Sequence, residues 1–238
     1  MAKTKILFIT HEMSPFLELT KISEITRQLP QAMQEKGFEI RILMPRFGNI
    51  NERRNRLHEV IRLSGLNIVV DNSDEHGEFF ADNNERSVFF CKGALETVKK
   101  LGWSPDVVHC HGWFSALVPA YVKTTYKDDP TFKDAKVMYS LFNEEFKGTL
   151  GSKYAEMAPE GAFKAEDAQV YGDGSYEAIY KGALHFTDMV VVADENVNTE
   201  IVDFARSKDI QVFEPNGDQD YDAFGEVYDQ FAPEEVEA

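Results

Sequence analysis

Apolar positions along this chain follow two alternating rhythms. Ile6-Leu7-Phe8-Ile9-Thr10 is a continuous apolar, β-branched run of strand length, the pattern of a strand covered on both faces in a parallel sheet. After the polar, turn-prone His11-Glu12-Met13-Ser14-Pro15, apolar residues recur at Ile22, Ile25, Leu29 and Met33, spacings that line one stripe of a helix. Gly37 stops that helix. Phe38 to Met44 reads as a second strand, closed by Pro45, which cannot continue a central ladder. Strand, helix and strand in this order make one βαβ unit.

The grammar repeats. Ala94 to Leu101 reads as a helix, Val107-Val108-His109-Cys110 as a buried strand and Ala116 to Lys127 as a helical stripe. Val137 to Leu141 is another strand, Tyr176 to Phe186 a helix, Met189 to Val192 a strand, Glu200 to Ser207 a helix and Ile210 to Phe213 a last strand. Six strand-like runs separated by helices predict an α/β protein with a single Rossmann-like, doubly wound parallel sheet. Asp71 to Arg86 and the glycine-containing Gly151 to Gly174 are expected to be long loops or insertions.

Composition narrows the class. The 238 residues are 43% hydrophobic, with a mean hydropathy of −0.37, which fits a soluble globular chain and excludes wholesale disorder. No stretch approaches the roughly 18 uninterrupted apolar residues of a membrane span, and the start lacks a signal-peptide core, so a cytoplasmic location is expected. Cys91 and Cys110 are too few for a disulfide framework and read as buried thiols. The net charge is −16, but no Lys or Arg follows Lys208, and the ten acids beyond it leave only −6 over residues 1–208. Residues 1–208 therefore read as the Rossmann-like domain and 209–238 as an acidic C-terminal tail. That sign of charge argues against nucleic acid and membrane surfaces as partners. Within the tail, Tyr221, Phe224, Val227, Tyr228 and Phe231 recur at helix-like spacing, against a default of solvated disorder.

Ligands of open parallel sheets bind beyond the carboxyl ends of the strands. His109 and His111, two apart, face one side of an extended strand and could share a metal. No third ligand has suitable spacing, so they read as hydrogen-bonded histidines with no metal. Trp113 suits either core packing or a platform for a sugar ring. Glu144 and Glu145 are adjacent, so they fall on different faces of any regular element and read as a solvated loop. There is no glycine-rich phosphate loop of either common type, and no cofactor is expected.

Several segments together resemble a known family. Lys5-Ile6-Leu7-Phe8-Ile9-Thr10-His11-Glu12-Met13-Ser14-Pro15-Phe16 and the Gly37 to Gly48 stretch are similar to the opening of bacterial glycogen synthases and plant starch synthases. Pro105-Asp106-Val107-Val108-His109-Cys110-His111-Gly112-Trp113 is similar to that family's HxHDW segment, and Lys181-Gly182-Ala183-Leu184 to its LKAG segment. Asp82-Asn83 and Arg86-Ser87-Val88-Phe89-Phe90 resemble its DNxxRFxFF stretch, and the likeness runs from about Lys5 to Ile201.

The resemblance implies a glycosyltransferase of the GT-B type, built from two Rossmann-like domains, of which this sheet is one half. It also implies ADP-glucose as donor and an α-1,4-glucan as acceptor. With one wall of the cleft absent, donor and acceptor are not held in line, so independent catalysis is not expected. The motif positions point the same way. Where the family has KxGGL, this chain has Glu18, Leu19, Thr20, Lys21 and Ile22. An acid repels a diphosphate, and side chains at Thr20 and Lys21 block the approach that glycine permits. The family's catalytic histidine falls on Phe142 and the HxHDW aspartate on Gly112. His109, His111, Trp113 and Asn143 remain as acceptor-side candidates for an α-glucan or maltooligosaccharide. A protein partner or self-association is the other expectation, because an uncovered apolar face is unusual on a soluble monomer. The interval between Val70 and Phe79 is shorter than the family's, where further strands usually stand.

Overall fold

A computed structural model describes residues 3–48, 50–51, 53–55, 57, 82–146, 148–217 and 220–232. The short interval between Val70 and Phe79 lies outside them. Six strands, β1 (Lys5–Ile9), β2 (Glu39–Leu43), β3 (Val107–His111), β4 (Lys136–Leu141), β5 (Met189–Val192) and β6 (Gln211–Phe213), form one sheet. Their order is β2-β1-β3-β4-β5-β6, and every neighbouring pair is parallel, with Ile6 opposite Ile40 on one side and Val107 on the other. All five residues of β3 are buried, as a two-sided apolar run requires.

Connection handedness explains the layers. The chain moves one way from β1 to β2 through α1 (Lys21–Glu35), then the other way through every later strand, by α2 (Asn83–Lys100), α3 (Val118–Lys123), α6 (Tyr176–Leu184) and α7 (Thr199–Ser207). Right-handed crossovers therefore put α1 on one face and the other four on the opposite face. The buried clusters divide this way: Val88, Leu95, Tyr121, Tyr180 and Ile201 belong to one, and Ile22, Ile25, Leu29 and Met33 to the other. The α1 face would be bare over β3 to β5. It is covered by α8 (Tyr221–Asp229), whose Phe224, Val227 and Tyr228 join the α1 cluster with Met138, Met189 and Val191.

Residues 209–217 and 220–232 consequently do not stand apart from the sheet. β6 pairs with β5, and the aromatic stripe expected to choose between disorder and docking is docked on its own domain. Lys36 bonds Asp222 and the Tyr221 hydroxyl meets Gln28, so the rim of α8 is tied to α1.

Three other expectations are corrected. The helical stripe Ala116 to Lys127 is a 3-10 turn at Trp113–Ser115 followed by α3 and a run of turns, because Pro119 lies in the first turn of α3 and the chain must reverse before β4. The expected loop ending at Arg86 already opens α2 at Asn83, where Arg86 pairs with Asp82 at 2.8 Å. Gly151 to Gly174 holds two short helices, α4 (Lys153–Met157) and α5 (Ala165–Ala168), because its aromatic residues are buried. Tyr154, Phe163 and Tyr171 are buried there, and Tyr171 donates to the Ala116 carbonyl at 3.0 Å.

Candidate functional site at the carboxyl ends of the strands

The direction of the chain reverses between β1 and β3, and the crevice beyond their carboxyl ends is where an open α/β sheet takes ligands. Three turns meet there: His11-Glu12 after β1, Gly112-Trp113 after β3 and Asn143-Glu144 after β4. Gly112 has φ +75° and ψ 162°, a conformation nearly restricted to glycine. A Cβ at this position would lie 2.6 Å from His11 Cε1 and 3.1 Å from Glu144 Oε1. The space a side chain at 112 would need is already filled by an imidazole and a carboxyl from two other strand ends.

Glu144 is the clearest departure from the sequence reading. It was expected in a solvated loop, yet its side chain is 3% exposed and Oε1 accepts the Trp113 backbone N–H at 2.8 Å. The missing side chain at Gly112 leaves room for it, whereas its neighbour Glu145 is exposed as expected. Burial pushes the Glu144 carboxyl well above the ordinary carboxylate range, and the Glu12 charge adds to the effect. His11 Nε2 stands 3.9 Å from Glu144 Oε2, and burial holds His11 below its ordinary value against the opposing pull of Glu12 and the His111 backbone. A glycine forced to positive φ directly after a strand signals such close approach, but the sequence does not say what approaches.

The histidines on β3 are fully buried and their rings meet at 4.1 Å. His109 has Tyr228 Oη 2.7 Å from Nδ1 and Ser140 Oγ 2.8 Å from Nε2. Among the described residues neither ring nitrogen of His111 has a hydrogen-bond partner, and burial, with His11 nearby, takes its pKa down to about 3. Trp113 is also buried, against His11, Phe114 and Phe146 at 6.0, 5.0 and 5.4 Å between ring centroids. Asn143 alone of the four acceptor-side candidates is exposed, on the rim. Phe142 is buried edge-on to the His111 ring, and its carbonyl accepts the Tyr176 hydroxyl at 3.0 Å.

On the β1 side, the loop before α1 is tied to an internal anion. Glu12, fully buried, accepts the backbone N–H groups of Leu19 and Thr20 at 2.8 and 3.0 Å and the Thr20 hydroxyl. Thr20 caps α1 by accepting the Ile22 N–H at 3.1 Å. Glu18 is exposed and accepts the Ser14 hydroxyl, and Lys21, half-buried, is the first residue of the helix. The amides of Leu19, Thr20 and Ile22, about the start of α1, are thus engaged by the chain's own groups. Among the described residues, no three His, Cys, Asp or Glu side chains are grouped to hold a metal ion.

Comparison with known proteins gives this sheet and its strand ends a family. Residues 5–212 match the starch synthase catalytic domain family. The chain belongs to that family. Glycogen synthase from Chlorobium limicola is 30% identical over 234 residues, covering 83% of this chain and 47% of its own. Glycogen synthase from Chlorobium phaeovibrioides is 33% identical over 233 residues with the same coverage. The chain spans about half the length of these relatives. The catalytic domain of starch synthase IV from Arabidopsis thaliana, solved bound to ADP and acarbose, superposes with a TM-score of 0.58 at 20% identity, covering 80% of this chain and 45% of that one. That likeness supports the fold, one parallel sheet with helices on its faces. Within this starch synthase-family domain no described helix is long and apolar enough to cross a membrane.

Proposed function

We propose that this domain is a non-catalytic member of its family, acting in the cytoplasm in glycogen metabolism by binding an α-1,4-glucan or maltooligosaccharide rather than by transferring glucose. The observation that carries the reading is the self-filled crevice: His11 and Glu144 occupy the side-chain space of residue 112. Two features support it. Glu12 already holds the Leu19 and Thr20 amides, with Glu18 beside them, so a diphosphate there would meet two acids and two amides already engaged. Phe142, where the family resemblance places a histidine, has no side-chain group to donate or accept a proton. The glucan would lie along the rim at the exposed Asn143, above the buried Trp113.

Calorimetric titration with maltoheptaose tests the binding half, and saturable heat is expected. Absence of heat at millimolar sugar removes it. Incubation with ADP-[14C]glucose and glycogen tests the other half: no label is expected in the polymer, and incorporation above the protein-free blank contradicts the non-catalytic reading.

One observation favours a second reading, an active glucosyltransferase subunit completed by a separately encoded domain. Leu19 is 51% exposed on the same rim, an apolar residue where a second wall would rest. On that reading, deleting the gene abolishes ADP-glucose-dependent chain extension in a cell extract.

A further inference from the structure

Glu144 is held at the strand ends by little that would suit a carboxylate. Its side chain is 3% exposed and receives one hydrogen bond, from the Trp113 N–H. The titratable groups around it are His11 and Glu12 beyond β1, Tyr139 on β4 and Tyr176 on α6. Among the described residues no Lys or Arg forms an ion pair with it, and its separation from the His11 imidazole, 3.9 Å, is beyond a hydrogen bond. Two residues along the same turn, Phe146 lays its ring on Trp113 at 5.4 Å and on Tyr176 at 5.9 Å. The segment Phe142–Phe146 therefore covers Trp113 with both a carboxyl and an aromatic ring, and beneath it lie unpartnered Nδ1 of His11 and both ring nitrogens of His111. Buried polar atoms without partners cost stability while the site is closed and are available to hydroxyl groups once it opens.

We propose that the segment Phe142–Phe146 is a lid on this crevice and that the buried Glu144 carboxyl, held by the Trp113 N–H, is its latch, so that ionisation of the carboxyl releases the lid and opens the strand ends to a neutral polyhydroxylated ligand. The proton leaves to solvent. The carboxylate left behind is buried close to Glu12 and, among the described residues, has no cation paired with it, so it moves outward to be hydrated. The direction agrees with burial holding Glu144 well above its ordinary range: the closed form is favoured at low pH and lost as pH rises through the folded value. The identity of the ligand rests on the glucan reading above, but the latch does not.

Trp103 and Trp113 are the two tryptophans, so Trp103→Phe leaves Trp113 as the sole tryptophan, excited selectively at wavelengths that tyrosine does not absorb. Its quenching by acrylamide, followed as pH is raised across the range in which far-ultraviolet circular dichroism is unchanged, is expected to rise severalfold. In Trp103→Phe/Glu144→Gln it is expected to stay low and flat, because the amide still accepts the Trp113 N–H and does not ionise. If Trp103→Phe fails to fold, hydrogen exchange of the Trp113 amide in otherwise unsubstituted chains, with and without Glu144→Gln, gives the same comparison. A flat profile in the parent, an equal rise in the Gln variant, or a rise accompanied by loss of far-ultraviolet circular dichroism overturns the lid. A rise specific to Glu144 without maltoheptaose heat at the high-pH end upholds the lid and removes the glucan.

Discussion

Under α8, His109 has both ring nitrogens engaged, by Tyr228 and by Ser140, whereas His111, two residues along the same strand, has neither engaged. Both imidazoles are fully buried and both are held below their ordinary value of 6.5 by that burial. The difference lies in what covers them. The middle of the sheet is closed by a helix whose one buried hydroxyl is placed to meet one buried nitrogen. The strand ends are closed by turns whose polar groups, His11, Glu144 and His111, mostly face one another without bonding. Along β3, then, the histidine under the helix is satisfied and the one at the strand end is not.

Acid should break the comparison most. The unfolded chain takes up protons near pH 6.5 that buried His11, His109 and His111 refuse in the folded state. Stability present above pH 6.5 is therefore lost as pH falls, by about 1.4 kcal/mol per pH unit for each histidine still neutral when folded. Urea denaturation across this range measures it. For His111 the loss should continue toward about pH 3, and His111→Leu should flatten the slope by one proton. A stability independent of pH below 6.5 would mean that the histidines are wet.

Phe224→Ala comes next. Phe224 is 4% exposed and packs on Phe213 at 5.1 Å, so its truncation should cost about 3–5 kcal/mol in chemical denaturation. A cost near zero would show α8 to be undocked in solution. Gly112→Ala should cost about 2–3 kcal/mol from the backbone conformation, before the contact with His11 is counted. Tyr228→Phe strips one partner from His109 and should cost about 1–2 kcal/mol. At neutral pH His111→Leu should change stability by less than about 1 kcal/mol, since no hydrogen bond is lost. Equal costs for the last two would erase the distinction between the histidines.

The six strands were legible because each is an apolar run bounded by turn residues, and a sheet covered on both faces needs little more. Crossover handedness was legible in principle, but not its consequence, a half-face left for α8. The stripe Tyr221, Phe224, Val227, Tyr228 announced a helix without saying what it would rest on. At the site, the segments following β1, β3 and β4 could be picked out as strand ends. Glu144 could not, because a pair of adjacent glutamates reads as solvent-facing until the void above Gly112 is known. Glu12 was equally hidden: its partners are backbone N–H groups of Leu19 and Thr20, which no side-chain pattern reveals.

The account depends most on the loop before α1 being occupied from within. A crystal soaked with ADP-glucose tests this directly. The account predicts that Glu12 keeps the Leu19 and Thr20 amides and that no pyrophosphate density appears beside Thr20 and Lys21. A pyrophosphate seated on those amides, with Glu12 displaced, would contradict it.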